Sequence, residues 1–348
     1  MKIFNKNEWK KVKLGDVCEV ITGNTPLKKI KEYWDKDEVP FITPPELKYE
    51  GINYITPNIY VSKIGAKQGR IIPKNSICVC CIGSLGKLGI LKEDAITNQQ
   101  INSLILKNKN VDLLYLYFYL KNIKNNLESI DTSTTVKIIN KSSFEKIDIN
   151  LPSLEIQKKI SKKLELLENN IDFRKRQLNY LKDLTKSLFT TMFGDIKTND
   201  KNWEIYYWKD VLNIKNGKNQ KQVEDINGKY PIYGSGGIIG RSNAYICNEN
   251  SIIIGRKGNI NKPILVKEKF WNVDTAFGLE VKSEKMSYHY LYYFCLFYDF
   301  EIHNKAVTIP SLVKSDLEKI VLPVPPIELQ NKFAERVEKI EKLSFNLY

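Results

Sequence analysis

The chain has 348 residues, of which 42% are hydrophobic, so it is long enough for two or three domains and too apolar for global disorder. Its 54 lysines and arginines outnumber its 40 acidic residues and give a net charge of +14, which suits nucleic acid, although a lysine-rich coding bias would give the same balance. With no apolar signal core at the N-terminus and no bilayer-spanning apolar run, we expect a cytoplasmic protein.

The first part of the chain predicts a mixed domain of short strands and helices. After Trp9 a strand leads to a glycine-containing turn, and β-branched runs follow between glycines, prolines and asparagines. TPPE at 43–46 predicts a rigid turn. The six cysteines do not form paired C-x-x-C units, which disfavours a zinc ribbon or a redox motif. ICVCCIG at 77–83 therefore predicts a buried strand of small apolar residues in a reducing compartment. An aromatic-rich helix from about Asp112 to Glu128 is predicted to pack into the core.

A long helix from Ser153 to Met192 is predicted to close this part of the chain. Pro152 lies just before the helix, where a proline does not remove a helical hydrogen bond, and Gly194 is expected to end the helix. Over about 60 Å, mainly apolar residues recur at alternating steps of four and three, which indicates a heptad seam. The seam positions are Ile160, Leu164, Leu167, Ile171, Arg174, Leu178, Leu181, Thr185, Leu188 and Met192.

The second part of the chain repeats the first. The matching segments are FEKIDINLPSLEIQKKI at 144–160 with LEKIVLPVPPIELQNKF at 317–333, WKKVKLGDVCEVITG at 9–23 with WEIYYWKDVLNIKNG at 203–217, NSICVCCIG at 75–83 with NSIIIGRKG at 250–258, and YLYFYL at 115–120 with YLYYFCL at 290–296. The period is too long for a solenoid. We therefore expect an α+β protein with two copies of a domain-plus-helix unit.

The repeat sets the predicted domain boundaries. We expect a first domain at 1–152, a spacer helix at 153–193, a linker at 194–202, a second domain at 203–325 and a shorter second helix at 326–348. The second helix continues the seam at Phe333, Val337, Ile340, Ser344 and Leu347.

The motifs of common catalytic and cofactor sites are missing from the sequence. His289 and His303 lie in different segments, which disfavours a histidine metal site or a Ser-His-Asp triad. The glycine-rich runs at 83–89 and 233–240 match neither the phosphate-loop motif nor a full G-x-G-x-x-G motif. We expect no catalytic residues, no metal and no cofactor, which favours a binding function.

The duplicated L-P-x-x-E-x-Q motif, followed each time by a helix, points to one family. The residues of this motif are Leu151, Pro152, Glu155, Gln157 and Ile160 in the first copy, and Pro325, Glu328, Gln330 and Phe333 in the second. W-x-x-x-x-L-G-D at 9–16 and LTKSLFTTMFGD at 184–195 accompany it. In order and duplication these motifs resemble the DNA sequence-specificity subunit of type I restriction-modification enzymes.

This resemblance implies a non-catalytic, DNA-reading subunit. Each repeat would be a target recognition domain for one half of a bipartite site in double-stranded DNA, and the two helices would pair as an antiparallel coiled coil. DNA methyltransferase subunits would dock near this spacer, and ATP-dependent translocating restriction (nuclease) subunits would complete the complex. Two alternatives stay open, a stand-alone methyltransferase or nuclease with an unrecognised site, and a scaffold that does not bind DNA.

Under this interpretation, lysines and arginines would neutralise phosphates while loop polar residues pair with base edges. The expected DNA-binding residues of the first copy are Asn24, Lys28, Lys29, Lys67, Gln68, Arg70, Ser84, Lys87, Asn98, Gln99, Gln100, Thr134 and Lys137. Those of the second copy are Lys218, Asn219, Gln220, Lys221, Ser235, Arg241, Arg256, Lys257, Asn259, Asn304 and Lys305.

The short second helix has a predicted consequence. Its length of about 35 Å would pair with only part of the spacer helix, and the remaining seam from Leu178 to Met192 would then need a partner other than the second helix. We expect the N-terminal segment, a methyltransferase subunit or a second copy of this chain to cover it.

Overall fold

Short β-branched strands build both halves of the structure, a computed structural model that describes residues 9–124 and 137–345. The chain divides into two units, Met1–Lys175 and Arg176–Tyr348. The strands of the first unit are β1 (Lys10–Lys13), β2 (Cys18–Thr22), β3 (Val39–Ile42), β4 (Tyr60–Val61), β5 (Ile77–Cys80), β6 (Leu88–Ile90), β7 (Ile96–Thr97), β8 (Ile101–Leu106) and β9 (Asp148–Leu151). Its helices are α1 (Leu14–Val17), α2 (Lys63–Ala66), α3 (Leu113–Asn122), α4 (Lys141–Glu145) and the first part of α5 (Leu154–Phe193), with 3-10 turns at Lys31–Tyr33 and Pro44–Glu46.

The described strands of the first unit form three sheets. An antiparallel sheet has the order β2-β8-β5-β6, a second sheet has the order β4-β3-β7 with β3 and β7 parallel, and β1 pairs with β9. The predicted buried strand is confirmed, since every residue of β5 is buried. The TPPE segment is the turn at Pro44–Glu46, in which the Thr43 amide donates to the Glu46 carboxylate at 2.9 Å.

The second unit contains the rest of α5 and a corresponding set of elements. Its strands are β10 (Glu204–Tyr207), β11 (Leu212–Asn216), β12 (Tyr230–Gly234), β13 (Gly237–Ser242), β14 (Ser251–Gly255), β15 (Ile264–Val266), β16 (Trp271–Asn272), β17 (Ala276–Val281) and β18 (Val321–Val324). Its further helices are α6 (Trp208–Val211), α7 (Tyr288–Phe297), α8 (Lys314–Leu317) and α9 (Ile327–Phe345), with a 3-10 turn at Phe300–His303. None of the described helices is long and apolar enough to cross a membrane.

Strand order confirms the internal repeat. The second unit has an antiparallel sheet β11-β17-β14-β15, a sheet β13-β12-β16 with β12 and β16 parallel, and the pair β10-β18, which is the topology of the first unit strand for strand. Asn75 and Asn250, which the alignment matches, both have positive φ, at 63° and 58°, just before β5 and β14. The repeat therefore extends to single backbone conformations.

The duplicated glutamine ties the closing helix of the first unit to its aromatic helix. Gln157 is fully buried. Its Oε1 accepts from the Asp112 amide at 2.8 Å, and its Nε2 donates to Asn110 O at 3.0 Å and Pro152 O at 2.9 Å. Asp112 is the N-cap of α3. One side chain therefore satisfies one backbone amide and two backbone carbonyls at the starts of both helices.

The second unit has the same arrangement. Gln330 is fully buried, its Oε1 accepts from the Ser287 amide at 2.8 Å, and its Nε2 donates to Lys285 O at 2.9 Å and Pro325 O at 2.7 Å. Ser287 is the N-cap of α7. The repeated P-x-x-E-x-Q motif is thus a repeated junction between two helices.

The predicted long helix is confirmed as α5, but the expectation that its C-terminal seam needs a partner other than the second helix is wrong. The seam residues Leu188 and Met192 pack against the core of the second unit. Beside them, Phe189 and Phe193 are buried and both contact Phe333 of α9, with ring centroids 5.5 and 5.1 Å apart. The start of α9 therefore packs against the C-terminal end of α5. The exposed part of the seam is instead at Leu167 and Ile171.

The aromatic helices α3 and α7 pack as the sequence predicts. Tyr117, Tyr290 and Phe294 are almost completely buried, and α7, the counterpart of α3 in the second unit, ends at Phe297. Helix α3 ends at Asn122, and the predicted extension to Glu128 runs beyond residue 124 into positions outside the described residues. Gly194 ends α5 with a φ of +82°, as expected for a glycine C-cap.

Candidate nucleic-acid interface

Two predicted DNA-contact segments of the first unit meet beyond the end of β2. Arg70 Nη1 donates to Thr22 O at 2.7 Å, and Asn24 Nδ2 donates to Gln68 O at 2.6 Å. The segments at 22–29 and 65–70, far apart in the sequence, therefore share one edge of the unit. The Arg70 side chain is exposed in spite of its hydrogen bond, which leaves guanidinium donors available to a ligand.

A glycine lets a third segment approach. Thr25 Oγ1 donates to Gln99 Oε1 at 2.6 Å, which joins residues 22–29 to residues 97–100. A Cβ on Gly23 would lie 2.2 Å from Thr97 O, a distance that real Cβ atoms do not show. Gly23, directly after β2, therefore allows this close approach of two backbone segments.

The two remaining segments attach to the same group of loops. The Gly83 amide donates to Lys137 O at 2.9 Å, and Gln100 Nε2 donates to Ile82 O at 3.5 Å. Thr134, another expected DNA-binding residue, lies outside the described residues. All the described segments that the sequence singles out in this unit are thus connected by hydrogen bonds. We call them the first loop cluster, which comprises residues 22–29, 65–70, 82–87, 97–100 and 137.

The second unit brings its loops together with the same device. A Cβ on Gly217, which the alignment matches to Gly23, would lie 1.8 Å from Val273 O. The Lys218 amide donates to Asn272 O, and the Val273 amide donates to Tyr233 O, both at 3.0 Å. The turn after β16 therefore holds the loop after β11 against the hairpin of β12 and β13.

Two further loops complete this group. The Arg256 amide donates to Thr275 O at 2.8 Å, and the Gly258 amide donates to Pro310 O at 3.0 Å. The loop after β14 therefore lies between the turn after β16 and the loop that follows His303. We call these segments the second loop cluster, which comprises residues 216–222, 234–243, 255–259, 272–275 and 303–311.

Several expected DNA-binding cations are exposed on the two clusters. Those of the first cluster are Lys28, Lys29, Lys67 and Arg70, and those of the second are Lys218, Lys221, Arg256 and Lys257. Lys87 is half-buried, with its Nζ 5.6 Å from the ring centroid of Tyr49. In each unit, exposed cations on converging loops are suited to contact the phosphates of a DNA backbone. Such contacts give salt-dependent affinity without sequence preference.

Other expected residues have partners within the protein. Asn98 is 8% exposed and donates to Gln100 Oε1, and Arg241 donates to Gly228 O at 2.6 Å and Lys229 O at 2.8 Å. These bonds shape the loops, and DNA contact by Asn98 and Arg241 stays a prediction.

Side chains of the loop after His303 also form contacts within the protein. Asn304 Oδ1 accepts from the Ser311 amide at 3.0 Å, and Lys305 Nζ lies 2.5 Å from Asp316 Oδ2. Lys305 is itself exposed, so this surface ion pair is weak, and DNA contact by Lys305 stays a prediction.

The remaining expected residues are polar loop positions. Gln68 and Gln99 are exposed, and Ser84, Gln220 and Ser235 are half-buried. The Asn219 side chain accepts from the Lys221 amide at 2.9 Å, while Asn259 is exposed beside the hairpin.

Sequence reasoning missed part of the second cluster. The turn at Val273, Asp274 and Thr275 occupies the place of residues 98–100 of the first unit, and extending the repeat alignment through the strands β7 and β16 would have found it. Ile238 and Ile239 also project from this cluster, and the sequence does not indicate their exposure, because at least one of two consecutive apolar strand residues is ordinarily buried.

The histidines and cysteines have environments suited to packing. His303 Nε2 lies 2.8 Å from the Tyr298 hydroxyl, and burial lowers the pKa of His289. Burial raises the pKa of the Cys78 and Cys247 thiols to about 12, so these thiols stay neutral. Within residues 9–124 and 137–345, no group of His, Cys, Asp and Glu side chains is placed to hold a metal ion.

The family comparison matches both units. The family model described as the type I restriction modification DNA specificity domain matches residues 6–183 and 200–347. The specificity subunit of the type I restriction enzyme MjaIX from Methanocaldococcus jannaschii is 29% identical, over 97% of this chain and 88% of its own.

Two solved structures share the fold. The S subunit of a type I restriction-modification system from M. genitalium superposes with a TM-score of 0.65 at 17% identity, covering 100% of this chain and 95% of its own. A chain from a study of complex assembly and conformational transition of the type I system gives a TM-score of 0.54 at 15% identity, covering 98% and 92%.

Proposed function

This chain belongs to the type I restriction modification DNA specificity family and carries two copies of its domain, and on that premise we propose that it selects the DNA sequence on which such a system acts. Members of this family recognise DNA and leave the chemistry to other subunits. The recognition would be bipartite, with each unit reading one half-site.

The observation that carries the proposal is the duplicated loop cluster. Two units of equal topology each gather loops from different parts of the sequence at one edge, and each edge bears exposed lysines and arginines. A close glycine–carbonyl packing, at Gly23 and at Gly217, supports each edge. Phosphate contacts would place each unit on the duplex, and polar loop side chains would read base edges.

The spacer and the domain boundaries are part of the proposal. Helix α5 is continuous over 40 residues, so it is suited to set a fixed separation between two half-sites. We propose that α5 and α9 pair as an antiparallel coiled coil and that the recognition domains span 1–152 and 203–325. Within the second unit, Phe333 at the start of α9 contacts Phe193 at the end of α5, while Leu181 and Ile340 line one pocket, which is an antiparallel order of contacts.

The partners follow from the family. A specificity subunit without a catalytic site needs DNA methyltransferase subunits for modification and ATP-dependent restriction subunits for cleavage. The fold that this chain shares with a chain from a study of type I complex assembly supports such an assembly here.

Methylome sequencing tests the proposal. Cells that express this chain with its cognate methyltransferase should methylate a split motif of two short half-sites with an unread spacer. Replacing residues 203–325 by the same segment of another family member should change one half-site and keep the other, because each unit reads independently. The reciprocal exchange of residues 1–152 is the matched control and should change the opposite half. An undivided motif, or exchanges that alter both halves together, would contradict the proposal.

A further inference from the structure

The second loop cluster carries an exposed apolar hairpin tip. Strands β12 and β13 pair from Gly234–Gly237 outward, so Ser235 and Gly236 form a two-residue turn. Ile238 and Ile239 follow this turn with 62% and 54% of their surface exposed. Two consecutive exposed isoleucines on one strand are unusual, since neighbouring strand residues point to opposite faces and one of them is normally covered.

A β-bulge accounts for this exposure. Ile232 pairs with Gly240 and Tyr233 pairs with Ile238, so Ile239 has no residue opposite it. Bulges redirect a side chain and are found near functional sites. A backbone irregularity that places two branched apolar side chains in solvent gains nothing for the folded core, and it therefore points to a ligand.

Cations and further apolar side chains surround the tip. A Cβ on Gly236 would lie 3.4 Å from Asn259 Nδ2, which places the tip beside the loop that carries the exposed Arg256 and Lys257. Across that loop, which is hydrogen-bonded to Pro310, Val307 is fully exposed and Ile309 is 59% exposed. Apolar groups flanked by cations fit a polyanion with an apolar feature better than they fit a bare phosphate backbone.

We propose that Ile238 and Ile239 contact thymine 5-methyl groups in the major groove of the half-site read by the second unit. The proposal rests on the proposed function and deepens it. The major groove is wide enough for a two-stranded β-ribbon, and the thymine methyl is the apolar group that the base edges present there. Arg256 and Lys257 would hold the adjacent phosphates.

The described residues of the first unit, 9–124 and 137–175, contain no equivalent hairpin. Its corresponding strands, β3 and β4, are joined by a long segment that includes the 3-10 turn at Pro44–Glu46. The methyl-reading tip is therefore specific to the second unit, and only one half-site depends on it.

Deoxyuridine substitution tests this contact directly, because deoxyuridine lacks only the 5-methyl group. The methylome first defines the split motif, and the segment exchange assigns one half-site to residues 203–325. The full chain with its methyltransferase subunit is then bound to duplexes in which each thymine of either half-site is replaced in turn by deoxyuridine. At least one replacement in the second unit's half-site should weaken binding about four-fold, the effect of burying one methyl-sized group.

Variants connect that loss to the tip. In the I238A/I239A double variant the affinity ratio between thymine and deoxyuridine duplexes should fall to about one. Its affinity for unrelated duplex should stay unchanged, because the phosphate contacts remain. Ile238→Val should keep part of the discrimination. Ile205→Ala is the matched control, an equally exposed isoleucine on β10, outside both loop clusters, and should keep the wild-type ratio.

The outcomes are distinguishable. An undivided motif would refute the proposed function and this inference with it. A split motif whose second half-site lacks thymine on both strands, or tolerates deoxyuridine at every position, would overturn the methyl contact and leave the proposed function standing. The same holds if the double variant binds with the wild-type ratio. Equal melting temperatures of the variants and the wild type would show that any lost discrimination is not lost folding.

Discussion

Removal of the junction glutamine should destabilise one unit at a time. In Gln157→Ala, the Asp112 amide loses its acceptor and two backbone carbonyls, those of Asn110 and Pro152, lose their donor. The site is fully buried, so water replaces these partners poorly. Gln330→Ala should have the same effect on the second unit, since the three hydrogen bonds recur there.

The expected magnitude follows from the hydrogen bonds. Each neutral bond contributes about 1 kcal/mol, so the loss of three should lower the free energy of unfolding by about 3 kcal/mol. For a unit of this length, each kcal/mol corresponds to a decrease in melting temperature of about 2–4 °C, so the affected transition should fall by about 6–12 °C. Both junctions should show losses of similar size because their geometry is nearly the same.

Differential scanning calorimetry of the full chain measures this effect, and hydrogen exchange at the amides of residues 110–112 localises it. Lys158→Ala, an exposed neighbour on α5, is the control and should change stability little. Gln157→Glu separates hydrogen bonding from packing, because the carboxylate keeps the side-chain shape and cannot donate to the two carbonyls. If Gln157→Glu melts like the wild type, or if Gln157→Ala melts like Lys158→Ala, the hydrogen-bonded junction is not what holds the two helices together.

Three further outcomes follow from the geometry. Gly217→Ala should destabilise the second unit by about 1–3 kcal/mol in chemical denaturation, because its Cβ would lie 1.8 Å from a carbonyl oxygen, whereas Gly234→Ala, whose Cβ would meet nothing nearer than 3.7 Å, should cost less. The K28A/K29A double variant should lower the slope of log affinity against log salt concentration by about 1.8 without changing the methylated motif, and a changed motif would contradict a phosphate role. The two lysines of β1 that bond to the Asp148 carboxylate lower its pKa below the usual 3.8, so their stabilising contribution is complete above that pH and is lost as pH falls through the folded-state pKa. Asp148→Asn should accordingly flatten the pH dependence of stability below about pH 4, and an unchanged acid profile would contradict this.

The repeat made most of the architecture predictable. Segments that match in sequence, such as those beginning at Asn75 and Asn250, have the same strand and even the same positive φ, because both copies retain the residues with special backbone requirements. The end of the spacer helix was less predictable. Its heptad pattern places Leu188 and Met192 in the seam, whereas Phe189 and Phe193 occupy the core. Periodicity identifies an apolar face, but the neighbouring elements decide which edge of that face is buried.

Most segments of the two loop clusters were predictable from the sequence, but the turn at 273–275 and the availability of individual side chains were not. Polar, glycine-rich segments were found because turns between short strands have a recognisable composition, and the described ones do converge. Which side chains remain available could not be read from that composition. Arg241 and Arg256 look alike in sequence, yet Arg241 donates to two backbone carbonyls while Arg256 is exposed beside Phe277. Such differences depend on distant segments that composition does not encode.

The two units combine one frame with two different reading surfaces. The frame depends on residues that recur, the glutamine of each helix junction and the glycine packed against a carbonyl. Between the same two strands, however, the first unit inserts a segment that buries Glu46, while the second forms a tight hairpin that exposes Ile238 and Ile239. Since recognition by such loops depends on the groups they expose, equal frames with unequal loops should read unequal half-sites. The methylated motif should therefore be asymmetric, and a palindromic one would mean that these loops do not decide the sequence.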